Sequence, residues 1–485
     1  MYLSYGIVVF VIMHMVKTRK DVEYFIWPLW VMVLFLSVIS LSQFLGGPQF
    51  AEHPRFGPIQ DIFRYDWMQK LLLTRELREV TDTIRIGGRD GFIYGTMYNS
   101  NFVGSFGVMM VFLGVAYFFF VQTWWKKLGM GMFVLLMIII MVGSGSRAGY
   151  MGFLSGMTLF VILLIPRLFH LKPVYVLVLI VFIGSGLWTV NTVTEGRFLN
   201  RAFSILDFPE RNERPQIYRL DIEGFEITIE TEQGSIIAWG EPNQMFFKDL
   251  EGQMVPYNLD TNRFIFTFDD PDLETFSFHF DAANGRVRTR FHGHLVDFMF
   301  FEDGFYVSGV GGLAPITQSP PRLEFLRGYE RIFSNRGYIY SLSTPLLRQT
   351  WLIGAGTDHY VFALPQRDLA GRLVGFGRTT VLDKPHNMFL QFGIEIGVVG
   401  LLGLLSLTFL PLWVLIKAPF SSTPEVLWRL GLFSSLVGMY VSGLANDLIL
   451  SIAPVFFVLL GLASTTLRDP KEKPSVTQKT STNAS

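Results

Sequence analysis

Cysteine is missing from all 485 residues. Its absence excludes disulfides, thiol catalysis and Cys-ligated zinc, while leaving the compartment open. Charge is also scarce: Asp, Glu, Lys and Arg make up only 16% of the chain, and 40 basic residues balance 40 acidic ones. A net charge of zero implies no nucleic-acid partner, so the information lies in where the charges sit. Several chemistries lack their residues as well. There is no Ser/His/Asp order, no paired carboxylate in a suitable context and no acidic cluster demanding a divalent metal. Gly354-Ala355-Gly356 has no βα unit around it to make a nucleotide fingerprint. No cofactor is indicated, and no internal repeat is present. What abounds is apolar surface: 50% hydrophobic and 15% aromatic residues, with a mean hydropathy of +0.38, place the chain among integral membrane proteins.

The chain reads as an α-helical polytopic membrane protein. Apolar runs able to cross about 30 Å of hydrocarbon fall at roughly 2–16, 24–45, 98–121, 129–144, 148–165, 173–190, 388–416, 428–446 and 449–467, about nine spans. Basic connections alternate along this order: Lys17, Arg19 and Lys20; Lys126 and Lys127; Arg167 and Lys172; Lys417 and Arg429; and a tail with Arg468, Lys471 and Lys473. One orientation puts all of them in the cytoplasm. Residues 2–16 lack the basic lead and the small-residue cleavage site of a signal peptide, and are read as a spanning helix that starts outside. A bare outward terminus is unusual and leaves room for an upstream segment.

That orientation divides the chain into spans over 1–190 with an outer loop at 46–97, an extracellular linker and β-rich insertion over 191–325, a helical outer loop over 326–386, further spans over 387–468, and a tail over 469–485. The tail is polar and rich in Ser, Thr and Lys, a disordered composition. Alternation predicts strands at 225–230, 263–268 and 275–280, with turns at Gln233-Gly234 and Asn284-Gly285. From 326 to 386 the spacing becomes helical, broken at Pro345, Gly354 and Gly356.

Two junctions carry the candidate chemistry. In Gly143-Ser144-Gly145-Ser146-Arg147-Ala148-Gly149 a helix starts at the outer face behind a Gly-rich turn, where unpaired N–H groups attract anions and Arg147 offers a forked cation. The alternative is an arginine that snorkels to the interface. In Lys384-Pro385-His386-Asn387-Met388 an imidazole precedes Asn387, a good N-cap residue, at the start of a long apolar run. His386 suits a general base acting on a sugar hydroxyl, or else bonds within its loop. Arg336, Gly-flanked in Asn335-Arg336-Gly337, is a second phosphate ligand, whereas Arg327 and Arg331 share a helix face by their i, i+4 spacing and face solvent or headgroups. His292-Gly293-His294 puts two imidazoles on one strand face without an evident third metal ligand. Glu395, four residues after Gln391, must face the bundle interior or a wet cavity.

These junctions resemble the O-antigen ligase and polymerase family. Its members carry a Thr-Gly-Ser-Arg-Gly-like turn, an Arg-containing loop followed by Gly-x-Gly, and a His-Asn-x-x-Leu-Gln run entering an apolar helix. Here these stand, in the same order, as residues 143–149, as Arg336 with Gly354-Ala355-Gly356-Thr357-Asp358, and as His386-Asn387-Met388-Phe389-Leu390-Gln391. The similarity covers about 98–467 apart from the β insertion. Ala148 replaces a usual glycine, Tyr340 stands where tryptophan is common, and many members lack the insertion. Gram-positive members resemble this variant, including Phe362-Ala363-Leu364-Pro365-Gln366-Arg367-Asp368 and Lys384-Pro385.

The resemblance implies a GT-C-like fold and a metal-independent, inverting glycosyltransferase at the outer face of the cytoplasmic membrane. Its donor would be a glycan on undecaprenyl pyrophosphate, and its acceptor a glycan, lipid or protein, giving a polysaccharide polymerase or ligase of the cell envelope. Arg147 and Arg336 would hold the pyrophosphate and His386 would activate the acceptor. Lys384, Asn387, Asp358, Gln391 and Ser146 would bind substrate. Competing readings are a flippase of lipid-linked sugars and a receptor whose β domain is the sensor.

Overall fold

The computed structural model describes residues 2–45, 93–97, 99–168, 215–241, 244–309, 312–314, 319–375, 380–417 and 423–465, with isolated positions between 184 and 200. The outer loop up to residue 92, the span expected at 173–190, most of the linker before the β region and the tail lie outside these residues. The chain divides into two compact units, Met1–Leu206 with Leu402–Ser485, and Asp207–Leu401.

The first unit is helical. Its elements are α1 (Tyr2–Met15), α2 (Arg19–Leu45), α3 (Ser100–Phe120), α4 (Trp124–Gly143) and α5 (Arg147–Leu168). After the second unit come the end of α10 (Met388–Ile416), then α11 (Pro424–Gly443) and α12 (Ala453–Ala463). Among the described residues, six helices, α2 to α5, α10 and α11, are long and apolar enough to cross a membrane, while α1 and α12 are shorter apolar helices. Apolar residues all round are the rule here, so the helices are sorted by small residues that let backbones approach. A Cβ at Gly156 of α5 would lie 2.8 Å from the Ser434 carbonyl of α11, and one at Gly431 would lie 2.5 Å from Ala116 of α3. α3 and α11 are buried along most of their length.

Charge confirms which helix ends go together. Arg19 pairs with Glu425, and Lys126 Nζ donates to Glu23 Oε1 (2.5 Å), so the starts of α2, α4 and α11 gather at one end of this unit. Arg429 reaches the Val414 carbonyl near the end of α10 (3.5 Å). At the opposite end, Ile93 N donates to Gly143 O (2.9 Å) and Asn446 Nδ2 to Ser105 Oγ (2.8 Å). The alternation read from the sequence thus has a physical counterpart among these helices.

The second unit opens with two antiparallel sheets whose strands follow chain order. The first holds β1 (Ile217–Glu223), β2 (Glu226–Thr231), β3 (Ser235–Glu241) and β4 (Gln244–Lys248). The second, of seven strands, holds β5 (Asn258–Asp260), β6 (Ile265–Thr267), β7 (Ser277–Asp281), β8 (Arg286–Phe291), β9 (His294–Phe301), β10 (Gly304–Gly309) and β11 (Gly312–Ala314). The expected strands and turns are present, because alternate residues such as Leu220, Ile229, Phe247, Phe278 and Phe298 bury one face in a common core. The histidine pair does not share a strand face. His292 occupies the β8–β9 turn with φ 45°, ahead of Gly293 at 76°, and Phe291 pairs across to His294. Two residues of positive φ are what a tight hairpin with matching twist requires.

Four short helices follow: α6 (Ile332–Ser343), α7 (Leu346–Gln349), α8 (Tyr360–Ala363) and α9 (Leu369–Gly375). Leu369 and Ala370 of α9 complete the β core, which ties the helical segment to the sheets. The expected helix face bearing Arg327 and Arg331 is absent: both lie in turns, with the chain reversing at Gly328 (φ 82°). Arg327 instead pairs with Glu324 (2.8 Å) and lies over the Tyr218 ring, and Arg331 donates to Val374 O (3.4 Å).

Helix α10 is not continuous. Gly397 takes φ 69° and ψ −171°, which no helical residue adopts. The carbonyls freed there are taken up by the turn after α7: Ala355 N donates to Ile394 O (2.7 Å), Gly356 N to Glu395 O (2.9 Å), and Val398 N to Trp351 O (2.7 Å). The ε-type conformation is essentially restricted to glycine, and a Cβ at Gly397 would also strike the Leu352 carbonyl. Gly354 is held as closely, since a Cβ there would strike the Glu395 carbonyl.

Candidate active site

Arg147 is the first residue of α5, and its side chain is exposed. The turn before it is fixed by serines. Ser146, buried, accepts from Gly149 N at Oγ (3.1 Å), which satisfies one orphan donor of the helix start, and Ser144 Oγ accepts from Ser146 N (3.3 Å). Ser146 therefore caps the helix, and its role is to present Arg147. The turn packs on α3, where a Cβ at Gly149 would lie 2.9 Å from Gly104 Cα.

Four residues that the sequence did not single out complete this end. Asn446 Nδ2 bonds the Asn101 carbonyl (3.3 Å) and Ser105 Oγ (2.8 Å), and Ser105 Oγ lies 2.6 Å from Ser442 Oγ. Ser146 Oγ reaches the same Asn101 carbonyl (3.5 Å). Asn101 and Ser105 lie hundreds of residues from Ser442 and Asn446, so no local spacing could reveal the cluster. A polar residue within an apolar run, the signal they do carry, was present at each.

The second junction belongs to the other unit. Asn387 is the N-cap of α10 as expected, its Oδ1 accepting from Phe389 N (2.9 Å) and Leu390 N (3.0 Å). His386 precedes it with φ 51°, a left-handed backbone that a non-glycine residue keeps only where its surroundings enforce it. Tyr340 does so: its hydroxyl donates to the His386 carbonyl (3.1 Å). Arg336 lies one turn before Tyr340 on α6, and the i, i+4 pair shares a face. The structure thereby brings α6, with Arg336, and the His386 turn together. His386, Asn387, Lys384 and Arg336 are all half-buried.

The remaining candidates separate. Gln391 and Glu395 are buried on the first half of α10, so neither is open to solvent. Asp358 is exposed with φ 59° in the turn that begins α8. Arg147 belongs to the first unit, and Arg336, Lys384, His386 and Asp358 belong to the second.

No family model, curated protein or solved structure matches the chain.

Sequence reasoning also missed the support beneath the His386 junction. Asp368, fully buried, accepts from Tyr338 Oη (2.9 Å), Arg322 Nη2 (3.0 Å) and Gly371 N (3.2 Å). Burial, reinforced by the Asp368 carboxylate, pushes the Tyr338 phenol well above its usual range, which keeps it a donor. Buried Arg372 bonds Gln366 Oε1 (2.7 Å) and the Thr380 carbonyl, and Gln366 Nε2 bonds Leu382 O (2.8 Å). These contacts run from the end of the β region through α6 and α9 to the chain leading to Lys384. The segment 362–368, noted only for its resemblance, is thus a strut that holds α6 against the chain leading to His386.

Proposed function

We propose that the chain is a membrane glycosyltransferase of the O-antigen ligase and polymerase type, acting at the outer face of the cytoplasmic membrane. It transfers or polymerises a glycan from an undecaprenyl-pyrophosphate donor onto an acceptor hydroxyl, without a metal and with inversion. The observation that carries this reading is the His386 junction: an imidazole held by a strained turn, clamped by Tyr340, with Arg336 on the same face of the clamping helix and a span-length apolar helix beginning directly after it.

The chemistry follows from those groups. The acceptor oxygen attacks the anomeric carbon, its proton passes to a ring nitrogen of His386, and the bond from that carbon to the diphosphate oxygen breaks. Attack opposite the leaving group inverts the centre. Negative charge builds on the departing diphosphate, and Arg336 offsets it, as forked cations do for phosphate oxygens. Lys384 and the positive dipole end of α10 add to the positive potential. Purified protein given a polyprenyl-pyrophosphate glycan is expected to lose most turnover, and to keep donor binding, in His386→Ala and Arg336→Ala. Normal turnover in both variants would remove the basis of the assignment.

The break at Gly397 favours a second reading, a carrier of lipid-linked sugar, because carriers build their sites from interrupted helices. In such sites the freed backbone groups face a substrate. Here the Ile394 and Glu395 carbonyls are already bonded by Ala355 and Gly356. The transferase reading therefore stands first.

A further inference from the structure

In the helical part of the second unit three consecutive large apolar residues form one exposed tip, while Phe325 and Phe362 are exposed singly, at 73% and 82%. Trp351, Leu352 and Ile353 are 61%, 46% and 78% exposed. A tryptophan beside two large aliphatic side chains in water is costly at about 25 cal/mol per Å² of apolar surface. The tip is also rigidly placed. Trp351 O accepts from Val398 N (2.7 Å), and the Leu352 carbonyl closes on Gly397. The tip is thus fastened to α10 at its break.

The burial of α10 changes at that same point. Ile394 and Glu395 are 0% and 2% exposed, whereas Val399 and Leu402 are 62% and 56% exposed. Before the break the apolar side chains are covered or half-covered by protein; after it one face, with Val399, Leu402, Phe409 and Trp413, is bare, while Leu404 and Leu415 stay buried. Residues 397–416 rise about 30 Å at ~1.5 Å per residue, the thickness of the hydrocarbon core. The full helix, with nine further residues, is too long for that core without tilt. At its far end Lys417 Nζ lies over the Trp413 ring (4.2 Å), an amphipathic pair suited to the other interface.

We propose that residues 350–353 are a membrane anchor: Trp351, Leu352 and Ile353 enter the outer interface of the bilayer beside Gly397, where α10 passes from protein into lipid. The proposal rests on the membrane part of the reading above and is independent of the glycosyl chemistry. Exposed Arg348, in the last turn of α7, then stands at headgroup level, where a cation meets lipid phosphate. Residues 388–396 lie above the hydrocarbon despite their apolar sequence. That accounts for Glu395, a carboxylate in an apolar run, which is enclosed by protein and never meets lipid.

The absence of native cysteine makes the test direct. Ile353→Cys, Phe409→Cys and Glu251→Cys, each labelled with the fluorophore NBD, are reconstituted into phosphatidylcholine and phosphatidylglycerol vesicles. Phe409 is an exposed side chain in the lower half of α10, and Glu251 an exposed one in the turn after β4. The label at 353 is expected to be blue-shifted relative to that at 251, to lose quenching by aqueous iodide, and to gain quenching by lipids carrying a shallow spin label. A label at 353 as open to iodide as that at 251, with 409 protected, overturns the anchor and leaves the membrane reading intact. Protection at 353 without lipid quenching means that protein covers the tip, a second copy included, and also overturns it. Iodide access at both 353 and 409 removes the anchor and the span together.

Discussion

Gly397→Ala is the substitution whose effect the structure defines most closely. Alanine must adopt φ 69° and ψ −171°, a conformation costing about 1–3 kcal/mol for a residue with a Cβ. Its methyl group also meets the Leu352 carbonyl, which is backbone and held by the Trp351 bond to Val398. The tip must move, and the bonds from Ala355 and Gly356 to the α10 carbonyls move with it. For a unit of this size each kcal/mol lowers the midpoint by about 2–4 °C. A loss of roughly 2–12 °C is expected, with faster hydrogen exchange at the amides of Ala355, Gly356 and Val398. Gly403, on the same helix with nothing within 4 Å of its absent Cβ, is the matched control. Gly403→Ala should be neutral or stabilise by about 0.5–1 kcal/mol, through helix propensity. Equal midpoints and equal exchange in the two variants would refute the idea that α10 is broken and filled by the 350–356 turn.

Other substitutions test the supports of the site. Tyr340→Phe removes one hydrogen bond to the His386 carbonyl, about 0.5–1.5 kcal/mol, and should lower turnover up to roughly tenfold with donor binding unchanged. Asp368→Ala leaves Arg322 buried beside Tyr338 without its partner; chemical unfolding should show a loss of about 3–5 kcal/mol, and a conservative Asp368→Asn should lose less. His292 is buried between the Thr231 and Thr275 hydroxyls, at 2.9 and 3.0 Å, and burial lowers its pKa below the usual 6.5. A depressed value means that the fold favours the neutral ring, so this stabilisation is present above about pH 6.5 and is lost as pH falls through the folded-state value. Acid unfolding of the β region, followed by exchange at β7 and β8, should shift to lower pH in His292→Gln.

The sequence revealed those parts of the fold that repeat a local pattern. Spans were legible as unbroken apolar runs, and strands such as β2 and β7 as alternation between two faces. The Asn387 cap was legible because a cap is a local device, satisfied by amides two and three residues on. Features made by contact between distant segments were not. Nothing at Gly397 distinguishes it from Gly393 or Gly400 until the 350–356 turn is seen against it. The Asp368 strut joins residues 322, 338 and 368, each unremarkable in its own neighbourhood. His292 was misplaced because strict alternation around 291–294 imitates a strand, while a two-residue turn needs positive φ, which the adjacent Gly293 hinted at and the histidine concealed. Arg327 and Arg331 had helical spacing, but Gly328 between them turned the chain.

The central claim is that a new glycosidic bond forms at the His386 junction. Purified protein in vesicles, with a chelator and a radiolabelled polyprenyl-pyrophosphate glycan, allows the bond and the leaving group to be counted together. The account predicts one polyprenyl pyrophosphate released for each glycosidic bond made, with both lost in His386→Ala. Intact donor appearing in the opposite leaflet, with no bond formed, would contradict it.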